Sequence, residues 1–304
     1  PLELIERYSD AVAEHQLRHE IVATQLANDL VDRMGFSFFF RQMESTGASA
    51  GEVVRAYTQV TNILGIDELW QSIEADTNLT ADVQLDLLHM LIRLARRTTR
   101  WFLRNRRLSL DCTVIIEQFA EPMLAVIRHL PKRIQAEWVE LWDAERAELV
   151  ARQVEPELAA RLAASDSIFL SLGIVDTAIK QQKPIEQTAQ LYFTLGEYLS
   201  LDWFMAQIVA LQPDNRWQDL ARESYVDDLE SQRRRLTACL LHADLGDIPL
   251  LIENWRIQQQ PLIDRWQSMV QDLRLGPAPD FAMISVALRE LSDLVQTSVD
   301  SESI

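Results

Sequence analysis

Apolar residues recur three or four positions apart through nearly all of this chain, and nowhere do they alternate long enough to make a strand. From Leu2 to Met34, the residues Leu4, Ile5, Tyr8, Val12, Leu17, Ile21, Val22, Leu26, Leu30 and Met34 keep close to the 3.6-residue period. That pattern predicts one long helix, and Gly35 is placed to stop it in a left-handed conformation. Strands joined by tight turns need many glycines, yet the 304 residues include only 8, with 10 prolines. The fold class expected is all-α: a multi-helix bundle or array.

One stretch occurs twice. Glu52–Ala75 lies over Gln187–Ala210 at an offset of 135 residues. Tyr57 then meets Tyr192, Ile66 meets Leu201, Asp67 meets Asp202, Leu69 meets Phe204 and Ile73 meets Ile208. Each copy breaks at Gly65 or Ser200 and restarts at the aspartate, which reads as an N-cap because its carboxylate can accept from orphan amides of the next helix. The chain is expected to hold two related halves, about residues 26–110 and 162–245. As sub-regions these give a first helical half over 1–155, a second over 156–275, and a linker with a terminal helix over 276–304.

Local signals punctuate the helices. Ser49-x-x-Glu52 is a capping box. Thr80 opens a long helix from Ala81 to about Arg106, and Asp111 caps the next. Pro122 predicts a break or kink there, and Pro261 a bend. Pro131 and Pro156 stand at helix starts. Gly173 reads as an interruption, Asp214 as a cap, and Gly276-Pro277-Ala278-Pro279 as a linker before a helix over Phe281–Val295. Thr297–Ile304 is polar and expected to fray. Four phenylalanines between Phe36 and Phe40 read as a core plug, the other possibility being a partner patch.

Composition excludes several function classes. The net charge is −17, opposite to what phosphate binding needs, so no nucleic-acid partner is expected. No apolar run approaches the roughly 20 residues that span a bilayer, so no membrane partner is expected either. Two cysteines, Cys112 and Cys239, make no disulfide framework; they fit a reducing, cytoplasmic setting and read as inert core thiols. The start within a helical pattern, without an initiator Met or a signal peptide, reads as a piece of a longer polypeptide. No G-x-G occurs, and Gly47 and Gly51 lack a following Lys-Ser/Thr. Neither dinucleotide nor P-loop binding is therefore expected, and this chain should hold no cofactor. His15 and His19 at i, i+4 could share a helix face around a metal, but two ligands do not make a site, so no metal site is assigned. No catalytic residue is assigned.

The most unusual local feature is cationic. Arg93, Arg96, Arg97, Arg100, Arg104, Arg106 and Arg107 run with no acid between Asp86 and Asp111, and Arg93, Arg97, Arg100, Arg104 and Arg107 share one helix face. Arg233, Arg234 and Arg235 repeat the idea. The simpler reading pairs these cations with acidic faces of neighbouring helices. The sharper one makes Arg93, Arg97, Arg100, Arg104 and Arg107 an interface for an acidic partner or another subunit, which is also how a stand-alone helical-repeat interaction module would use them.

Four segments carry a family resemblance: HQLRHEIVATQLANDLVDRMG (His15–Gly35), TGAS with VVRAYT (Thr46–Thr58), TTRWFLRNRR (Thr98–Arg107), and LDWFMAQI with NRWQDLAR (Leu201–Arg222). Together they resemble the C-terminal helical region of the large bacterial NAD-dependent glutamate dehydrogenases, in order and over nearly the whole chain. Asp32 departs from the family, which more often carries Asn there. The resemblance implies a long parent polypeptide with this region last, oxidising L-glutamate with NAD to 2-oxoglutarate and ammonia. Its glycine loop, catalytic lysine and aspartate would lie in an upstream catalytic domain, so this fragment by itself is not expected to be catalytic. It implies an architectural or regulatory role here, against the catalytic domain of the same polypeptide and neighbouring subunits of a homo-oligomer.

Overall fold

The computed structural model describes residues 15–106, 112–129, 136–241 and 248–302. Fourteen helices and no strand occur among them, as the periodicity requires. The backbone divides into two compact units, Pro1–Ile116 and Glu117–Ile304.

The first unit contains α1 (Arg18–Met34), α2 (Ser37–Thr46), α3 (Ala50–Leu64), α4 (Ile66–Ala75) and α5 (Ala81–Asn105). Helix α5 is its spine. Val83, Leu87, Leu91, Leu94 and Phe102 form one buried stripe, against which α3 sets Val53, Ala56 and Val60, and α4 sets Ile66, Leu69 and Ile73. The capping box at the start of α3 is formed: the Ser49 N–H donates to Glu52 Oε2 at 2.7 Å, and the Glu52 N–H donates back to Ser49 Oγ. Thr80 caps α5. Gln84 ties the end of α4 to α5 by donating to the carbonyls of Ile73 and Asp76. Asp111 and Arg107 lie outside the described residues, as does the stretch of the expected first helix before His15.

The phenylalanine cluster is only partly core. Phe38 is buried edge-on against Tyr57, with ring centroids 5.9 Å apart, and Phe39 is half-buried. Phe36 and Phe40 are 72% and 68% exposed. A residue two positions along a helix points about 200° away, so burying Phe38 turns its i−2 and i+2 neighbours to solvent.

Helix α6 (Cys112–His129) crosses the division, and Pro122 lies inside it without interrupting the helix. The second unit continues with α7 (Ala136–Ala151), α8 (Pro156–Ala163), α9 (Ser165–Gln181), α10 (Ile185–Tyr198), α11 (Leu201–Ala210), α12 (Arg216–Leu240), α13 (Ile248–Leu275) and α14 (Phe281–Glu302). Helices α10 to α14 share one apolar core that includes Leu191, Leu195, Phe204, Leu236, Trp255, Trp266 and Leu291. Pro156 opens α8 as expected.

Three expectations, at Gly173, Asp214 and Thr297, are corrected here. Helix α9 runs through Gly173 unbroken. Asn215, not Asp214, caps α12, its side chain accepting from the Trp217 and Gln218 amides. Helix α13 continues through Pro261, which is exposed while Trp255, Gln259, Ile263 and Trp266 hold the opposite face in the core. Helix α14 does not fray at Thr297. Ser298 is buried and accepts from the Trp255 indole at 2.9 Å, and Ser301 accepts from Gln259 at 3.1 Å.

Helix α4 and α11 start and end at positions offset by 135, and so do α5 and α12. Between α3 and α4, Gly65 has φ 62° and ψ 38°; between α10 and α11, Ser200 has φ 54° and ψ 35°. Both turns are left-handed, a conformation that costs a residue with a Cβ roughly 1–2 kcal/mol. Ser200→Gly is therefore expected to raise the unfolding free energy, and Gly65→Ser to lower it by a similar amount, in urea titrations of the chain. Two changes of the same sign would refute the assignment.

Candidate functional site

The arginine run of α5 does not present one solvent face. Positions 93, 97, 100 and 104 lie within roughly 60° of one another around the helix, yet Arg93 and Arg104 are exposed, Arg97 is half-buried and Arg100 is 9% exposed. Burial changes along the helix rather than around it. Arg100 sits among Thr98, Thr99, Trp101 and Phe102, all buried. Arg104 reaches across to α2 and donates from Nη2 to the Ser45 carbonyl at 2.9 Å. The Arg96 carbonyl accepts from Gln42 at 3.0 Å. This end of α5 is bonded to α2 inside the first unit, and Arg107 lies beyond the described residues.

The most elaborate polar site among the described residues is in the second unit; Tyr192, Asp202 and Arg233 were each named from the sequence for other reasons, and Glu230 was not. Arg233 of α12 is 2% exposed. Its Nη1 donates to Asp202 Oδ1 at 2.7 Å, its Nε and Nη2 donate to the Tyr192 carbonyl at 3.3 Å, and its guanidinium lies 4.1 Å above the Tyr192 ring. The Tyr192 hydroxyl donates to Glu230 Oε2 at 2.6 Å, and both side chains are buried. Burial, followed by the neighbouring Glu230 carboxylate, pushes the Tyr192 hydroxyl well above the usual tyrosine range. For Arg233 burial works downward, but Asp202, Tyr192 and Glu230 outweigh it, so the cation is held even more firmly.

Two glycines make room for this network. A Cβ on Gly196 of α10 would overlap Arg233 Nη2 and lie 2.7 Å from its Cζ. One on Gly173 of α9 would come within 3.2 Å of the Arg234 side chain and 3.3 Å of the Tyr192 hydroxyl. Gly173 is thus a close-packing position rather than an interruption. The available signal was a lone glycine inside a helical pattern.

The first unit has a simpler counterpart. Asp67, which matches Asp202 in the repeat, pairs with Arg33 of α1, and the Arg33 guanidinium lies 5.6 Å from the Trp70 ring. Tyr57, which matches Tyr192, is raised by burial, with Arg33 acting against it. Neither aspartate is an N-cap. Gly65 and Ser200 hold the cap positions, and the aspartates stand in the first turn, where they answer an arginine.

Comparison with known proteins decides the family. The glutamate dehydrogenase C-terminal family model matches residues 1–293. The chain belongs to this family. The NAD-specific glutamate dehydrogenase of Pseudomonas aeruginosa is 39% identical over 302 residues, 98% of this chain and 19% of that protein. That of Halomonas elongata is 36% identical over 304 residues, 99% of the chain and 19% of the relative. That of Mycobacterium tuberculosis is 29% identical over 300 residues, 98% and 18%. The chain therefore spans about a fifth of the length of the relatives it matches.

Within this glutamate dehydrogenase C-terminal fold, the remaining candidates are local. His15 precedes α1, and its Nδ1 accepts from the Leu17 amide at 3.1 Å, so it does not share a helical face with residue 19. Cys239 is buried, whereas Cys112 is half-exposed, its thiol 3.9 Å from the Arg55 carbonyl, which corrects the reading of both as core. The Tyr192–Glu230–Arg233–Asp202 cluster joins three helices, α10, α11 and α12. Its chemistry is that of a fixed, fully engaged ion network, suited to holding helices rather than moving protons.

Proposed function

We propose that this chain is the C-terminal structural and assembly domain of an NAD-dependent glutamate dehydrogenase. The complete polypeptide would oxidise L-glutamate to 2-oxoglutarate and ammonia with NAD in the cytoplasm. The observation that carries this is the family match over residues 1–293, with relatives of that name on which the chain occupies only the C-terminal share. The buried groups support an architectural role within it: Arg233, Tyr192 and Glu230 are occupied with one another. NAD and the reacting carbon would be held by other parts of the polypeptide. Assay of the full-length protein for glutamate-dependent reduction of NAD tests the reading, and absence of that activity would overturn it.

We further infer that the two units derive from one duplicated set of helices. The matching ends of α4 and α11 and of α5 and α12, the paired left-handed turns, and the matched Tyr57/Tyr192 and Asp67/Asp202 positions support this.

In this reading the two exposed arginines of the stripe, Arg93 and Arg104 at its opposite ends, contact the catalytic domain or a neighbouring subunit. Arg93→Glu together with Arg104→Glu in the full-length protein should shift its sedimentation toward smaller species and lower its activity severalfold. Loss of the Arg104–Ser45 hydrogen bond should itself cost about 1 kcal/mol. Unchanged sedimentation and activity would assign both arginines to packing within the first unit.

A further inference from the structure

One buried side chain of the first unit is only half engaged. Gln59 of α3 is fully buried, and among the described residues its Oε1 has no hydrogen-bond partner. A buried acceptor left open costs free energy that an apolar side chain of similar size would avoid. The other end of the same carboxamide is occupied: Nε2 donates to the Cys112 sulfur, 3.8 Å away. The amide is thus aimed at the first residue of α6, within the same unit, although its neighbours Ala56 and Val60 belong to the apolar core.

Cys112 differs from the second cysteine in access. Its side chain is half-exposed, whereas Cys239 of α12 is buried. The Cys112 sulfur lies 3.9 Å from the Arg55 carbonyl and is therefore flanked by that acceptor and by the Gln59 carboxamide. A thiol serves such surroundings poorly, because S–H is a weak donor and sulfur a weak acceptor. One oxygen added to the sulfur changes the inventory. A sulfenic acid carries an O–H donor, and an acceptor oxygen in place of bare sulfur. The open Oε1 of Gln59 needs a donor of that kind, on a carboxamide whose Nε2 already meets the sulfur.

We propose that Cys112 is a modification site for hydrogen peroxide, with Gln59 as the residue that holds the sulfenic acid formed there. In the step the Cys112 sulfur attacks one peroxide oxygen, the O–O bond breaks and an S–O bond forms. The displaced oxygen leaves as water and takes the thiol proton with it. The sulfur is oxidised by two electrons, and the peroxide is reduced by the same two. The new hydroxyl then donates to Gln59 Oε1. This assignment does not depend on the enzyme reading of the full-length protein.

Trapping with dimedone, which reacts with sulfenic acids, tests this on the full-length protein after exposure to hydrogen peroxide. Peptide mass analysis should find the adduct on Cys112 and none on Cys239. A second measurement removes the peroxide with catalase and adds dimedone after timed delays. Gln59→Met should then shorten the lifetime of the sulfenic acid about fivefold, the factor that one net hydrogen bond represents. Methionine is close to glutamine in length and leaves no buried acceptor open. No adduct at Cys112 in the unsubstituted protein would overturn the proposal without recourse to any variant. Equal labelling of both cysteines would overturn it as well. So would equal lifetimes with and without the substitution, which would make Cys112 a half-exposed thiol with no supporting residue.

Discussion

Arg233→Met is expected to cost the chain about 3–5 kcal/mol, the usual penalty for removing one partner of a buried ion pair. The guanidinium satisfies Asp202 and the Tyr192 carbonyl and offsets the buried Glu230 carboxylate, and methionine would leave all three without their cation. Urea titration should show a lower midpoint with an unchanged slope. A loss below about 1 kcal/mol would mean that the network contributes little beyond its own desolvation cost. Gly196 supplies the sharper control. In the wild-type chain Gly196→Ala places a Cβ against Arg233 and should be clearly destabilising. In the Arg233→Met background the obstruction is gone, and alanine's better helix propensity should make the same change neutral or stabilising by up to about 1 kcal/mol. A reversal of sign between the two backgrounds identifies close packing as the reason for glycine; the same sign in both would remove that explanation.

Trp266→Ala should be nearly as damaging, about 3–5 kcal/mol, because it empties a fully buried site. The ring lies edge-on to Phe204 at 5.4 Å, and its indole N–H donates to the Leu199 carbonyl at 2.9 Å. Leu199 is the C-cap of α10, directly before the left-handed Ser200, so the indole serves a carbonyl that the helix itself leaves open. Trp266→Phe keeps much of the apolar contact but strands that carbonyl, and should cost about 1–3 kcal/mol. Equal losses for Ala and Phe would show that the hydrogen bond, not the volume, dominates.

Much of the local structure was legible because its causes are local. The capping box at Ser49 and Glu52, the stop at Gly35, the start at Pro156 and the linker at Gly276–Pro279 each depend on a few neighbouring residues. The candidate site was far less legible. The stripe from Arg93 to Arg104 is one face by angle, yet its burial is uneven: Arg100 is buried and Arg93 is not. Phe36 and Phe40 looked like core by composition, but the helix that buries Phe38 must turn them outward. Asp67 and Asp202 sit where a cap would be read. Arginines far away in the chain, Arg33 and Arg233, claim their carboxylates instead.

Contiguous residues were enough to make this chain helical, to place most helix ends and to identify its family. Each follows from periodicity, capping chemistry and motifs that occupy contiguous residues. Which polar residues are buried together depends on how helices distant in the chain pack. Tyr192, Asp202, Glu230 and Arg233 meet because three helices converge, and Gly173 and Gly196 are small because α12 passes close over them. Helix periodicity fixes the direction in which a side chain points, but burial depends on what the rest of the chain brings to that place.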